Sequence, residues 1–171
     1  MEYQRAMAAQ LADLAPRDAA ILRNLPLFQQ LPEPVLASLL ATATIRSVER
    51  GTDLFVQGDP ADRFFVVLEG WVKLYRINRD GAEAVVSMVN AGESFAEAAM
   101  FAQGSFPVCA QAVTDLRVVA ITSQAFARCV QADVGTAFAM LGSMSMRLRN
   151  WSSRSSSFRS SPLPSGWGVS C

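Results

Sequence analysis

The spacing of apolar residues changes twice along the chain, and each change marks a different kind of secondary structure. Up to about residue 50 the leucines recur at helical intervals and prolines interrupt the run, which predicts short helices. From Gly51 onward, glycines separate short runs rich in β-branched and aromatic residues, a texture typical of an antiparallel sandwich or barrel. From Ser123 the helical spacing returns. The pattern predicts an α+β fold, an antiparallel β-roll or jelly-roll flanked by N-terminal helices and a long C-terminal helix.

The β-rich part contains six candidate strands and a hairpin signal. Asp80-Gly81 separates the third run from the fourth, and this pair favours a tight hairpin turn. In the third run Lys73 alternates with apolar neighbours, which predicts a strand with one face in water. The runs are LFVQ, FFVVL, WVKLYRI, AVVSMV, VCAQAV and LRVVAI.

The C-terminal helical stretch carries apolar residues at heptad spacing. Ser123 is expected to cap its first part and Asp133 its second part. The heptad positions form an a/d seam, which has two interpretations: packing on the chain's own roll, or packing on a second copy as a homodimer, which we favour. The seam residues are Val134, Ala137, Leu141, Met144 and Leu148.

Composition excludes several functional classes. Lys plus Arg and Asp plus Glu both number 15, so no global charge attracts nucleic acid or membrane. The absence of histidine rules out Ser-His-Asp and Cys-His catalysis and histidine metal sites, so we expect no catalytic residue and no enzyme. Three widely separated cysteines form no disulfide framework and are too few for a four-thiolate iron–sulfur cluster. No secretion signal or run of about 18 apolar residues occurs, so the expected location is cytoplasmic, without a membrane partner.

Three quoted segments, in order, resemble one family of bacterial regulators. NLPLFQQLPEPVLASLL, GTDLFVQGDPADRFFVVLEGWVKLYR and AGESFAEAAMF resemble the sensory half of Crp/Fnr transcription regulators, which has a cyclic-nucleotide-binding-like roll. The resemblance covers roughly residues 22–150. It implies an N-terminal extension over 1–21, a roll with flanking helices over 22–132 and the start of a dimerisation helix over 133–150. FAEAAMF looks most similar to the nitric-oxide-responsive, haem-binding Dnr-type branch.

The resemblance also implies a pocket for a small-molecule or gas effector. In members that bind cyclic AMP, the acid at the place of Glu97 accepts a hydrogen bond from the ribose, and an arginine about ten residues later pairs with the phosphate. Here no Lys or Arg occurs from Gly92 to Leu116, which argues against a standard cyclic AMP site because a buried phosphate would lack a cation. The implied pocket residues are Gly92, Glu93, Phe95, Ala96, Glu97, Met100, Phe106, Val108 and Cys109.

Two further points about the pocket stay open. Glu97 has a structural interpretation, in which its carboxylate bonds backbone N–H groups of its own turn and maintains the fold. The second open point is whether the pocket holds haem. Cys109, the methionines and Tyr75 have side chains of the kinds that ligate haem iron. Nothing in their spacing selects one of them.

The last residues, 151–171, differ from the rest of the chain. Seven of the ten residues from Ser152 to Ser161 are serine, a composition that predicts disorder. A one-base shift of the reading frame near codon 150 is one explanation, because Trp151 and Phe158 continue the row of Ala137 and Met144 and would both back-translate to apolar residues. A natural short protein is the rival explanation.

These observations predict the sensory and dimerisation region of a Crp/Fnr-type regulator. Such regulators continue into a helix-turn-helix domain that enters the DNA major groove, and residues 151–171 do not resemble one. DNA is therefore expected as a partner only of an intact full-length form. The alternative is a stand-alone ligand-binding module that acts through protein contacts.

Overall fold

In the described part of the chain, two helices precede eight strands, and two further helices accompany the strands. The computed structural model describes residues 15–29, 31–102, 104–132, 135, 137 and 138. The elements are α1 Pro16–Asn24, α2 Glu33–Leu40, β1 Thr44–Val48, β2 Asp53–Phe55, β3 Arg63–Glu69, β4 Trp71–Ile77, β5 Glu83–Asn90, β6 Ser94–Phe95, α3 Glu97–Phe101, β7 Cys109–Ala112, β8 Leu116–Thr122 and α4 Ser123–Ala132. Four of the predicted seam residues, Val134, Leu141, Met144 and Leu148, and all of 151–171 lie outside the described residues.

The strands form two four-stranded sheets, and every pairing between strands is antiparallel. The first sheet has the order β1-β8-β3-β6 and the second has the order β2-β7-β4-β5. The predicted antiparallel roll is therefore confirmed, and its sheets pack as two layers of a jelly roll.

Strand β3 is buried on both faces, which explains its unbroken apolar sequence. Phe65 and Val67 point into the core between the two sheets. Phe64 and Val66 belong to a second core, which the first sheet shares with α1, α2 and α4. Alternate residues of one strand thus serve two different cores.

The β4–β5 hairpin was predicted correctly. Gly81 has φ +79°, and the N–H of Asn78 donates to the carbonyl of Ala82 at 2.9 Å. On β4, the Lys73 ammonium lies 2.6 Å from the Glu83 carboxylate and 4.4 Å from the centroid of the Tyr75 ring. Lys73 is 20% exposed and lies on the same side of β4 as Trp71, which is 44% exposed, in agreement with the predicted strand that has one face toward water.

Strand β1 corrects the sequence prediction, which placed its residues in the N-terminal helical part. Its five residues pair with β8, with Thr44 opposite Ala120 and Val48 opposite Leu116. Most of its side chains are exposed, so the sequence has no alternation of apolar and polar residues that would predict this strand. Its β-branched residues and its partner strand determine the structure instead.

The predicted cap of α4 is wrong by one residue. The helix already includes Ser123, and the Thr122 hydroxyl oxygen accepts a hydrogen bond from the N–H of Ala125 at 3.3 Å. A side-chain acceptor three residues before an N–H is the geometry of an N-cap. Thr122 therefore caps the helix directly from the end of β8.

An ion pair fastens α1 to the roll. The buried Asp18 carboxylate lies 2.8 Å from the guanidinium of Arg117 on β8. Its hydrogen bond and charge raise the pKa of Arg117 above the usual value. The predicted boundary between residues 21 and 22 falls within this helix. The division into an extension over 1–21 and a roll domain from residue 22 stays a prediction.

Gly70 makes the tightest backbone approach among the described glycines. It joins β3 to β4 with φ +92°, and a Cβ there would lie 2.4 Å from the carbonyl oxygen of Asp115 and 2.8 Å from Oγ1 of Thr114. We expect Gly70→Ala to lower the free energy of unfolding by about 2–4 kcal/mol, through backbone strain and a steric clash.

Gly58→Ala is the matched control, because Gly58 has φ +98° and no atom within 4 Å of its Cβ position. It should cost only the left-handed backbone term, about 1–2 kcal/mol. Urea unfolding of both variants measures the difference, and equal losses would show that the close approach at Gly70 is unimportant.

Candidate functional site

The turn from Asn90 to Glu93 is tied to the middle of β3. The N–H of Gly92 donates to the carbonyl of Val67, and the N–H of Val67 donates to the carbonyl of Glu93, both at 2.9 Å. The Glu93 carboxylate accepts a hydrogen bond from the N–H of Asn90 at 2.9 Å. The exposed Gly92 and Glu93 therefore shape the turn and do not line the roll interior.

Ala96 has an unusual backbone conformation at the start of α3. It has φ 71° and ψ 5°, the only positive φ of a residue other than glycine in the described chain. A left-handed alanine costs about 1–2 kcal/mol. This conformation turns the chain from β6 directly into α3. The Glu97 side chain is then buried in the protein rather than exposed to solvent.

Glu97 is a buried carboxylate with a hydroxyl donor. It is 8% exposed, and the hydroxyl of the equally buried Ser94 donates a hydrogen bond to it. Ser94 itself is held on β6 opposite Val66. Because an unsatisfied buried carboxylate is costly, the Ser94 hydroxyl helps to stabilise Glu97 in this position. The predicted bonds from backbone N–H groups of the turn stay a prediction.

The interior of the roll beside this turn is filled by four stacked phenyl rings. Phe55 and Phe106 stack with centroids 3.7 Å apart, and Phe65 and Phe95 stack at 5.3 Å. Phe55 also faces Phe65 at 5.7 Å. Close packing of this kind leaves an interior that is apolar and aromatic.

The predicted pocket residues do not all meet. Phe95 and Phe106 belong to the interior core, with Ala96 and Val108 packed against it. Met100 belongs instead to the helical core, where it lines an open groove of about 640 Å³ with Phe101, Phe126 and Val130.

Cys109 is a fully buried residue at the start of β7. Its sulfur accepts a hydrogen bond from the N–H of Gln57 at 3.3 Å, and it lies opposite Tyr75 in the strand pairing. Cys109 therefore lies between Gln57 and Tyr75 at the start of β7.

No lysine or arginine is buried in the part of the chain that the structure describes. The buried polar or charged residues there are Asp18, Ser94 and Glu97, so no Lys or Arg is among them. The nearest basic residue after Gly92 in the sequence is Arg117, which pairs with Asp18. A phosphate at this site would face a carboxylate without a compensating charge.

Tyr75 is poorly suited to hold a haem iron. The Tyr75 hydroxyl lies 3.5 Å from the Asp53 carboxylate. Burial, together with Asp53 and Cys109, raises the pKa of Tyr75 to about 12, which opposes a phenolate ligand. Cys109 lies against Tyr75, its partner in the strand pairing, whereas Met100 belongs to the helical core.

Sequence reasoning missed Phe55, Phe65 and Ser94 as parts of the site. A usable signal existed for Phe65, since an unbroken run such as FFVVL predicts a strand buried on both faces. Ser94 had no signal of its own, because its pairing with Glu97 depends on the left-handed turn at Ala96.

Among the described residues, no helix is long and apolar enough to cross a membrane, and no group of three potential metal ligands occurs.

Comparison with known proteins identifies the fold and its relatives. Residues 45–133 match the model of the cyclic nucleotide-binding domain. A CRP-like cAMP-activated global transcriptional regulator of Mycobacterium tuberculosis is 28% identical over 105 residues, which are 61% of this chain and 47% of that protein. The chain therefore spans about half the length of the curated relatives that it matches.

Two solved structures of regulator domains are also similar. The sensor domain of the transcriptional regulator DNR from Pseudomonas aeruginosa is 30% identical, with a TM-score of 0.70 over 95% of this chain and 100% of that domain. The N-terminal domain of a transcriptional regulator from Streptomyces coelicolor is 33% identical, with a TM-score of 0.67 over 76% of this chain and 93% of that domain. The chain belongs to the cyclic nucleotide-binding domain family, and its relatives include transcription regulators of the Crp/Fnr type.

Proposed function

We propose that this chain is the effector-sensing and dimerisation region of a Crp/Fnr-type transcription regulator. The observation that carries the proposal is the similarity to a complete regulator sensor domain along 95% of the chain. A sensor of this kind shifts the equilibrium between two dimer states when its effector binds one of them more tightly. In a longer protein, that shift would reorient paired DNA-binding domains.

The geometry of the site favours an uncharged, largely apolar effector. The roll interior is filled by stacked phenyl rings that an effector would have to separate, and no described Lys or Arg is buried. An anionic ligand would lose its hydration there without gaining a partner. A small apolar molecule or a diatomic gas carries no such cost.

Dimerisation would use the helix that follows Asp133. The predicted seam of Val134, Ala137, Leu141, Met144 and Leu148 spans about two heptads, and a helix of that length is marginal without further contacts. We therefore expect a dimer whose population depends on concentration.

Cyclic AMP should not bind measurably to this chain. Because no Lys or Arg occurs from Gly92 to Leu116 to pair with the phosphate, isothermal titration calorimetry should show a dissociation constant weaker than about 1 mM. The Mycobacterium tuberculosis relative, whose name describes it as cAMP-activated, is the positive control in the same buffer. Micromolar binding to this chain would contradict the argument from the missing cation.

The stability of a Glu97 variant tests whether this carboxylate has a structural role. Glu97→Gln should lower the free energy of unfolding by about 1–2 kcal/mol, because Ser94 would then bond a neutral acceptor in a buried site. Glu93→Gln is the matched control four residues earlier, since its carboxylate also accepts a hydrogen bond but is exposed. Chemical unfolding measures both, and a neutral effect of Glu97→Gln would remove the structural role.

The DNA part of the proposal is tested by gel-shift assays with the 171-residue chain. We expect no sequence-specific complex with promoter fragments from the chain's own genomic neighbourhood. A parallel protein, translated from the gene with the frame after codon 150 shifted by one base, tests whether a helix-turn-helix follows. A nanomolar, sequence-dependent complex with the 171-residue chain would contradict the proposal.

A further inference from the structure

An open groove lies between α3 and α4, and it differs in one respect from the interior of the roll. Its volume is about 640 Å³, within the range of roughly 300–1,000 Å³ that small-molecule sites occupy. In the interior, by contrast, Phe55 and Phe106 stack with ring centroids 3.7 Å apart. A small molecule therefore enters the groove without moving a ring, whereas it would have to displace packed rings to enter the interior.

We propose that this groove is the effector site and that it takes an uncharged molecule built on an aromatic ring. The inference rests on the proposed function, which gives the chain an effector, and it adds the position where that effector binds. Met100, a predicted pocket residue, lines the groove.

Aromatic side chains form part of the wall of the groove. Phe101 at the end of α3 lines it and is 39% exposed. Its ring meets that of Phe126 on α4 with centroids 5.2 Å apart and an interplanar angle of 69°. A third ring placed against this edge-to-face pair would gain aromatic contacts of the same kind. It would also remove the exposed part of the Phe101 ring from water.

The charge of the groove favours a neutral ligand. Asp62 is the ionic side chain among the described residues that line it. Arg63 already donates two hydrogen bonds to the Asp62 carboxylate, at 2.7 and 2.8 Å, so the two side chains together have no net charge to attract an ion. Gln124 and Gln131 of α4 are exposed lining residues, and their amide groups can bond a polar edge of an uncharged ligand.

Backbone hydrogen bonds hold the two sides of the groove together. The N–H of Ala61 donates to the carbonyl of Gly104, shortly after α3, at 3.0 Å. The N–H of Ser123, the first residue of α4, donates to the carbonyl of Asp62 at 2.8 Å. One short loop is thus bonded to both sides, and a site that is already formed loses little conformational freedom when a ligand binds.

The position of the groove gives a bound ligand a means to act on the rest of the site. Phe101 and Glu97 are the last and first residues of the five-residue helix α3. A ligand held between Phe101 and α4 would therefore also restrict the movement of Glu97 relative to α4.

Indole is the probe for this site, because it is an uncharged aromatic molecule. With the full 171-residue chain, labelled with nitrogen isotope, indole should shift the amide NMR signals of Phe101, Ala127 and Val130. We expect a dissociation constant of about 1 mM or tighter. Indole-3-acetate has the same ring with a negative charge and should bind no more tightly. If it bound about tenfold more tightly, the neutral class of ligand would be wrong.

A pair of tryptophan variants tests whether the groove itself holds the probe. Ala127 is an exposed lining residue of α4, so the ring of Ala127→Trp should fill the groove and weaken indole binding by at least about tenfold. Arg128→Trp is the matched control, because Arg128 is the next residue, is exposed and is not among the lining residues. It should leave indole binding unchanged. Both variants should keep the thermal unfolding of the wild-type chain, since both positions are exposed.

The outcomes separate this inference from the proposed function. Shifts confined to the signals of Phe55, Phe65 and Phe106, equal binding by the two tryptophan variants, or no shift up to about 10 mM indole would each overturn the groove as the effector site and leave the proposed function standing. A chain that stays monomeric at all concentrations would instead overturn the dimerising function, and indole binding in the groove would be unaffected by that result.

Discussion

The fold depends on one strand that serves two cores. Strand β3 sends Phe65 and Val67 into the space between the sheets, and it sends Phe64 and Val66 toward the helices. It also pairs with β8 on one side and β6 on the other. Because β6 leads directly into Ala96 and Glu97, the position of the candidate site is determined by the packing of this strand.

The shared strand also links the interior of the roll to α4. Phe64 packs edge-on against Phe126 of α4, with centroids 6.0 Å apart, while its neighbour Phe65 stacks on Phe95. Tightly packed cores transmit a displacement rather than absorb it. An effector that separates the interior rings would therefore act on β3 and, through it, on α4.

The sequence predicted the parts of the fold that are encoded by local patterns. The glycine-punctuated strands and the Asp80-Gly81 hairpin follow from periodicity and turn chemistry. Strand β1 was missed because its side chains are mostly exposed and its partner β8 is about 70 residues away in the sequence, as the pairing of Thr44 with Ala120 shows. The predicted pocket was divided for a similar reason, since neighbours in sequence such as Glu97 and Met100 face different cores once α3 forms.

The left-handed alanine at position 96 has a mechanical consequence. A glycine would adopt φ 71° without a penalty, so Ala96 keeps this angle only while the packing around it opposes relaxation. The turn is therefore a strained segment that the hydrogen bond between Ser94 and Glu97 helps to hold in place. If displacement of the rings broke that bond, the backbone at Ala96 would lower its energy by moving toward the right-handed region, and the start of α3 would move with it.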